Sequence, residues 1–320
     1  MRMLITSAGR RAELLQCFRS DAGALGISLE ILACDLNPEW SAACRLADQR
    51  LAVPRVDDPG YIDALLNICR NYGVSLLVPT IDPELLPLAQ ARGRFAEIET
   101  HVALCAPALV DIARHKLKTA RFFASNGIAT PRTALAEDAR DHPAEWDWPL
   151  IIKARHGSAS RGLKQALSAD DLPDLSLSEP LVAQQLLKGR EFTINMFFSR
   201  QGGFHTAIPH ERMQVRAGEV EKGVTRRVPA LADVARRIAQ VLPGPSGVLC
   251  FQAIIGDDGK PWVFEINARF GGGFPLAHHA GACFSRWLLE EQLGRTPTAH
   301  DDWREGITMM RYDAAVFASS

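Results

Sequence analysis

A parallel α/β domain followed by an α+β region is the fold the sequence predicts, on three observations. Up to about residue 105, short aliphatic runs alternate with amphipathic stretches, the βαβ pattern of a parallel sheet. From Pro149 the character changes to longer strands broken by glycine-bearing turns. The chain has 320 residues, 47% hydrophobic and 23% charged, enough for a large core and for two or three domains rather than one.

In the first region the strands are expected at Met3–Thr6, Leu29–Cys34, Leu51–Val53, Leu76–Pro79 and Val102–Cys105, with helices near Arg11–Arg19, Tyr61–Asn71 and Pro83–Gln90. Ser7-Ala8-Gly9, Asp35 and Thr80-Ile81-Asp82 then sit at strand ends, where an open parallel sheet collects ligands. Around Pro107 a second region begins. A helix from Pro107 or Asp111 carries Ile112, Leu117, Ala120 and Phe123 on one stripe, and Asn126-Gly127 stops it. Pro131 opens an extended segment, and the acidic, Pro-containing stretch from Ala136 to Pro149 reads as a linker. Strands follow at Leu150–Ala154, Leu181–Leu187, Phe192–Phe198 and, as a pair, within Val248–Glu265. Helices are expected at Leu231–Leu242 and Ser285–Gln292.

Composition excludes several classes. With 36 basic and 37 acidic residues the net charge is -1, which gives no bulk attraction for nucleic acid or an anionic membrane. The N-terminus lacks a signal-peptide pattern and no run reaches the roughly 18 apolar residues that span a bilayer, so a cytoplasmic protein is expected. The seven cysteines are scattered without a C-x-x-C pair, which implies reduced core residues.

Four segments carry chemistry. Trp262 to Arg269 alternates, which predicts Val263, Glu265, Asn267 and Arg269 on one face. Gly256-Asp257-Asp258-Gly259 signals a hairpin that sets Ile255 opposite Lys260 and brings Gln252 to the face of Glu265. Carboxylate and amide oxygens suit Mg²⁺, and Arg269 offers a phosphate-binding fork. The competing reading is a solvated strand face, against which stands the following Gly271-Gly272-Gly273. Lys153 ends an apolar strand and leads into a small-residue loop containing Gly157, Ser158, Ser160 and Gly162, which either lays N–H groups over phosphates or makes a plain hairpin turn. Gln184 to Phe198 reads as a strand, a turn at Gly189 and a returning strand with Glu191 at its start. Pro209 to Val224 reads as a mobile loop holding Arg212, Arg216, Glu219 and Lys222, with a solvated surface loop as the equal alternative.

In this order, Lys116, the Leu150-Ile151-Ile152-Lys153 strand with its loop, Gln184 to Glu191, Gln252 and Glu265-Ile266-Asn267-Ala268-Arg269 resemble the ATP-grasp superfamily, most closely proteins similar to the carbamoyl phosphate synthase large subunit. The resemblance covers roughly residues 107 to 282. It implies a Rossmann-like pre-ATP-grasp domain at 1–106 and an ATP-grasp domain at 107–320, with a small lobe at about 120–187 and a large lobe at about 188–320. It further implies an ATP-dependent, ADP-forming ligase that phosphorylates a carboxylate and joins it to an amine.

By the same resemblance, Lys116 and Lys153 contact phosphates and the adenine edge, and the loop from Gly157 to Gly162 closes over the phosphates. Gln184, Gln185 and Leu187 meet adenine, Glu191 takes the ribose hydroxyls, and Gln252, Glu265 and Asn267 hold Mg²⁺, with Mn²⁺ as the alternative ion. Arg269 makes the phosphate or acyl-phosphate contact. Apart from the resemblance, Arg212 and Lys222 of the Pro209 to Val224 stretch are candidate catalytic cations for the γ-phosphate. Gln184 stands where these families more often have an acidic residue. Small-molecule substrates are expected, with a homodimer as an open expectation. The competing functions are a nucleotide-binding relative without turnover and a nicotinamide-dependent oxidoreductase built on Ser7-Ala8-Gly9 and Asp35. Ser7, Arg10, Asp82 and Glu84 are candidates for a substrate pocket, with a helix start at Asp82-Pro83-Glu84 as the alternative, and one of His278 and His279 is a candidate for an acceptor pocket.

Overall fold

The structure is a computed structural model, and it describes residues 1–156, 163–176 and 179–317. The first five strands are β1 (Arg2–Thr6), β2 (Glu30–Asp35), β3 (Gln49–Ala52), β4 (Leu76–Pro79) and β5 (His101–Val102), in the parallel order β3-β2-β1-β4-β5. Alternate residues serve opposite faces. Leu4, Leu32 and Leu77 pack with helices Tyr61–Tyr72 and Asp82–Gln90, while Met3, Ile5, Ile31 and Val78 pack with helix Ala12–Ala24. Both faces are covered, as a parallel sheet requires. Two short helices, Ala42–Leu46 and Arg92–Ala96, were not legible because neither completes a periodic stripe.

The single helix expected after Pro107 is two, Pro107–Arg114 and Lys116–Ser125. His115 is extended between them (φ −116°, ψ 103°), and its ring Nδ1 accepts from the Lys118 backbone N–H at 3.4 Å. This break starts the second helix at Lys116, whose N–H donates to the Arg155 carbonyl. The expected linker at Ala136–Pro149 is also structured. Helix Ala136–Asp141 and a 3₁₀ turn at Pro143–Glu145 bury Ala136, Ala139 and Trp146 against the next sheet.

That sheet comprises β6 (Thr133–Leu135), β7 (Leu150–Ala154), β8 (Lys164–Ala166) and β9 (Leu181–Gln185) in the order β6-β9-β7-β8. A larger sheet holds β10 (Arg190–Phe198), β11 (Phe204–Arg216), β12 (Glu219–Thr225), β13 (Gly247–Ile255), β14 (Pro261–Asn267) and β15 (Thr308–Met310), in the order β14-β13-β10-β11-β12-β15. Its apolar residues, among them Ile194, Phe251 and Phe197, continue the two cores of the N-terminal sheet.

Three expectations are corrected here. β9 and β10 do not form a hairpin, because residues 186–189 cross from the small sheet to the large one. Gly189 (φ 144°) permits the crossing, since a Cβ there would collide with the carbonyl oxygen of Ile255. The stretch Pro209 to Val224 is no mobile loop but the hairpin of β11 and β12, turning at Ala217 and Gly218 (φ 49° and 78°), with Ile208, Val220 and Val224 buried. The β13–β14 register differs by one: Ile255 faces Pro261, and a bulge at Phe264 then sets Gln252 opposite Glu265. The bulge breaks the expected alternation, so Val263 is core while Phe264, Glu265, Asn267 and Arg269 share the other side.

Candidate active site

A cavity of about 550 Å³ lies where the three sheets meet, within the range of small-molecule sites. Lys153 enters from β7 and Gln184 and Gln185 from β9, with Leu187 on the crossing. Glu191 comes from β10, Arg212 from β11, Gln252 from β13, and Glu265 and Asn267 from β14. Lys116 heads its helix, and Arg269 follows β14. The N-terminal domain contributes Arg11 and Asp82. Thus the structure gathers most of the sequence-predicted site residues around one space. Gly157, Ser158, Ser160 and Gly162 lie outside the described residues. Lys222 is not brought in: it is exposed on β12, opposite Gln214 and Met310.

The register of β7 against β9 pairs Ile151 with Gln184 and brings the Lys153 ammonium to the Gln184 amide oxygen at 2.7 Å. Gln184 is oriented from its other end by donating to Thr133 Oγ1 at 2.8 Å. Burial pushes Lys153 down to about 8, against the pull of Glu265 and helped by Lys116. Burial likewise lowers Lys116, with Glu265 and Asp82 opposing. A desolvated ammonium group gains strongly from an arriving anion.

Glu191 pairs with Arg212 at 2.9 Å, and the Arg212 side chain, 7% exposed, also donates to the Gly218 carbonyl. Burial raises the Glu191 carboxyl, with Arg212 opposing. Arg212 is therefore a fixed partner of Glu191 and not a cation on a loose loop.

Asn267 Nδ2 donates to Glu265 Oε1 at 3.2 Å, while its Oδ1 accepts from Arg269 at 3.2 Å. One lone pair of that oxygen remains. Together with Gln252 opposite Glu265, the donors are all oxygen, the set that a hard divalent cation takes.

Arg269 makes two hydrogen bonds to Asp82, at 3.1 and 2.8 Å, joining residues 187 apart. Both side chains are nearly buried, at 11% and 12% exposure. Burial alone would lower the guanidinium, yet Asp82 holds its pKa above the ordinary arginine value. Reciprocally, Arg269 holds the Asp82 carboxyl below its own against burial. Beside this pair, Arg11 meets Glu219 at 3.4 Å. Glu219 lies flat on Gly272, where any Cβ would strike its carboxylate, and Arg311 donates to the Gly272 carbonyl. Sequence reasoning missed Arg11 and Arg311. Arg11 had a usable signal, its position directly after the β1 loop, but nothing local marks Arg311.

Other pocket candidates are placed elsewhere. Glu84 is fully buried, accepts from Ser7, Tyr61 and the backbone of Thr80 and Ile81, and so caps its helix. Arg10 is exposed, and His278 turns to Asp21. The Asp35 carboxylate accepts the Gly9 N–H at 2.9 Å, which ties it to its own loop and removes the main support for a dinucleotide ribose contact.

Residues 3–103 match the family model described as the PylC-like N-terminal domain. Residues 177–315 match that of the ATP-grasp in the biosynthetic pathway with Ter operon. A carbamoyl-phosphate synthase from Methanobrevibacter smithii is 28% identical over 157 residues, 47% of this chain and 41% of that protein. A D-alanine–D-alanine ligase from Gloeobacter violaceus is 24% identical over 182 residues, 50% of this chain and 60% of that one. The chain thus spans about half the length of these relatives. The fold is also that of the biotin carboxylase domain of Hydrogenobacter thermophilus 2-oxoglutarate carboxylase, solved with MgADP, ADP and bicarbonate. The TM-score is 0.74 at 14% identity, covering 95% of this chain and 72% of that one. By these two matches the chain carries a PylC-like N-terminal domain followed by an ATP-grasp region.

Proposed function

We propose that this protein is an ATP-dependent, ADP-forming ligase that activates a carboxylate as an acyl phosphate and passes the acyl group to an amine. The observation that carries the proposal is the convergence of two desolvated lysines, Lys116 and Lys153, with an all-oxygen donor set on one cavity that continues to the N-terminal domain. The relatives named as ligases and the neighbour solved with MgADP support it. In this reading residues 1–106 close one end of the cavity and residues 107–320 grip the nucleotide between the two antiparallel sheets. A cytoplasmic setting accords with ATP use, and among the described residues no helix is long and apolar enough to cross a membrane.

In this reading Gln184, Gln185 and Leu187 border the base, and Glu191, steadied by Arg212, faces the ribose. Lys116 and Lys153 hold the outer phosphates. Glu265, Asn267 and Gln252 would hold Mg²⁺, which would supply charge neutralisation at the phosphates. Arg269 is aimed by Asp82 at the space between nucleotide and N-terminal domain, where a carboxylate awaits the γ-phosphoryl group. No covalent nucleophile is required. Cys250 lines the cavity, but burial pushes its thiol up to about 12, which leaves it unreactive.

Screening amino acids and small carboxylates with Mg-ATP and hydroxylamine tests the proposal. The correct carboxylate yields a hydroxamate and stoichiometric ADP without its amine partner; ADP with no hydroxamate for any active acid would exclude an acyl phosphate. Lys153→Ala should weaken ATP binding at least about tenfold. In the wild type, ATP affinity should also fall about tenfold between pH 7 and 9, as the ammonium group with a pKa of about 8 loses its proton. Calorimetry reads both effects, and a pH response that survives in the Lys153→Ala protein would assign it to another group.

A further inference from the structure

Away from the cavity, helix Ala12–Ala24 of the N-terminal domain meets helix Phe274–His279 and the start of helix Phe284–Gln292. Three side chains with metal-binding chemistry converge there, and a fourth, Cys17, lies on the adjoining helix turn. His278 Nε2 lies 3.0 Å from Asp21 Oδ2, and one ligand atom each of Asp21, His278 and Cys283 lie within 4.8 Å of one another. Cys17 stands one turn before Asp21 on the same helix face, which turns it toward His278. Asp21 and Cys17 are buried, at 5% and 6% exposure, and Asp21 also accepts from the buried Ser285 hydroxyl. Cys283 and His278 are partly exposed, which leaves a path from solvent.

We infer that Cys17, Asp21, His278 and Cys283 form a binding site for a thiophilic divalent cation of the Zn²⁺ class, separate from the Mg²⁺ donors of the cavity. A tetrahedral zinc centre with Zn–N and Zn–O near 2.0 Å and Zn–S near 2.3 Å has ligand–ligand edges of about 3.3–3.8 Å. The spacing of Asp21, His278 and Cys283 needs only a small rearrangement to reach them, and Cys17 would complete the set by a side-chain rotation. Two sulfurs, one imidazole and one carboxylate select against Mg²⁺, which takes oxygen alone. Ser285 donating to Asp21 fixes the carboxylate from behind, as outer-shell partners of metal ligands do. An occupied site would clamp the N-terminal domain to the helix that leaves the Gly271–Gly273 turn of the cavity.

Co²⁺ titration of the full chain, stripped with chelator and free of nucleotide, tests this. One equivalent of Co²⁺ should give a thiolate charge-transfer band and intense d–d bands of tetrahedral geometry, both abolished by one equivalent of Zn²⁺. Cys283→Ser should remove most of the charge-transfer intensity and weaken Zn²⁺ at least tenfold. His278→Gln should weaken it similarly, while Glu265→Gln leaves the spectrum unchanged. A wild-type spectrum without charge transfer would show only a His–Asp ion pair and overturn the site, and so would a band unaffected in Cys283→Ser and His278→Gln. The readout needs neither ATP nor turnover, so its failure leaves the ligase reading untouched.

Discussion

Glu265→Gln should lower turnover at least about a hundredfold while the folded protein still binds nucleotide within about threefold of wild type when Mg²⁺ is omitted. The substitution keeps shape and removes the single carboxylate among the three donors, Gln252, Glu265 and Asn267. The glutamine amide oxygen still accepts the Asn267 bond at 3.2 Å, so the change is one of charge. The proposed base and ribose contacts are on β9, the crossing and β10, so affinity without metal should be insulated from the change. Asn267→Ala should behave alike. Steady-state rates across a Mg²⁺ series, paired with metal-free calorimetry, check this. Near wild-type activity at limiting Mg²⁺ would remove Glu265 from the metal site.

Asp82→Asn should destabilise the fold by about 3–5 kcal/mol, because it leaves the Arg269 guanidinium buried beside a neutral amide. The pair joins the segment after β14 to the N-terminal domain, so its loss should also loosen the cavity. Replacing both partners with apolar residues, Asp82→Leu with Arg269→Met, should recover much of the stability and none of the activity. Urea unfolding measures the first effect. A loss below about 1 kcal/mol would mean that the pair is solvent-screened and that Arg269 is not held in place by Asp82.

What the sequence made legible follows from the range of the forces involved. β4 and β7 fall at their expected residues because apolar runs bounded by Pro79 and Pro149 need no distant partner to be read. Glu265, Asn267 and Gln252 were found because alternation and a hairpin signal are local. The register still slipped by one, since a bulge at Phe264 repairs a five-residue connection that the Gly256 to Gly259 signal does not specify. The pairing of Asp82 with Arg269 spans 187 residues and leaves no periodic trace. Arg212 was placed on a loop because the β11–β12 hairpin carries charged residues on its exposed side, which masks the buried Ile208, Val220 and Val224. The helix break at His115 was hidden for the opposite reason. Apolar residues on both sides fit one stripe, while the His115 cap and the tertiary tie of Lys116 to Arg155 divide them.

The central claim is phosphoryl transfer to a carboxylate, and the spent nucleotide tests it most directly. In the proposed arrangement Lys116, Lys153 and the Glu265–Asn267 donors meet the outer phosphates, so the bond that breaks should lie between the β- and γ-phosphates. Chromatography of a completed reaction with its carboxylate and amine should show ADP and orthophosphate in equal amounts. AMP and pyrophosphate as the main products would mean adenylation and contradict the account.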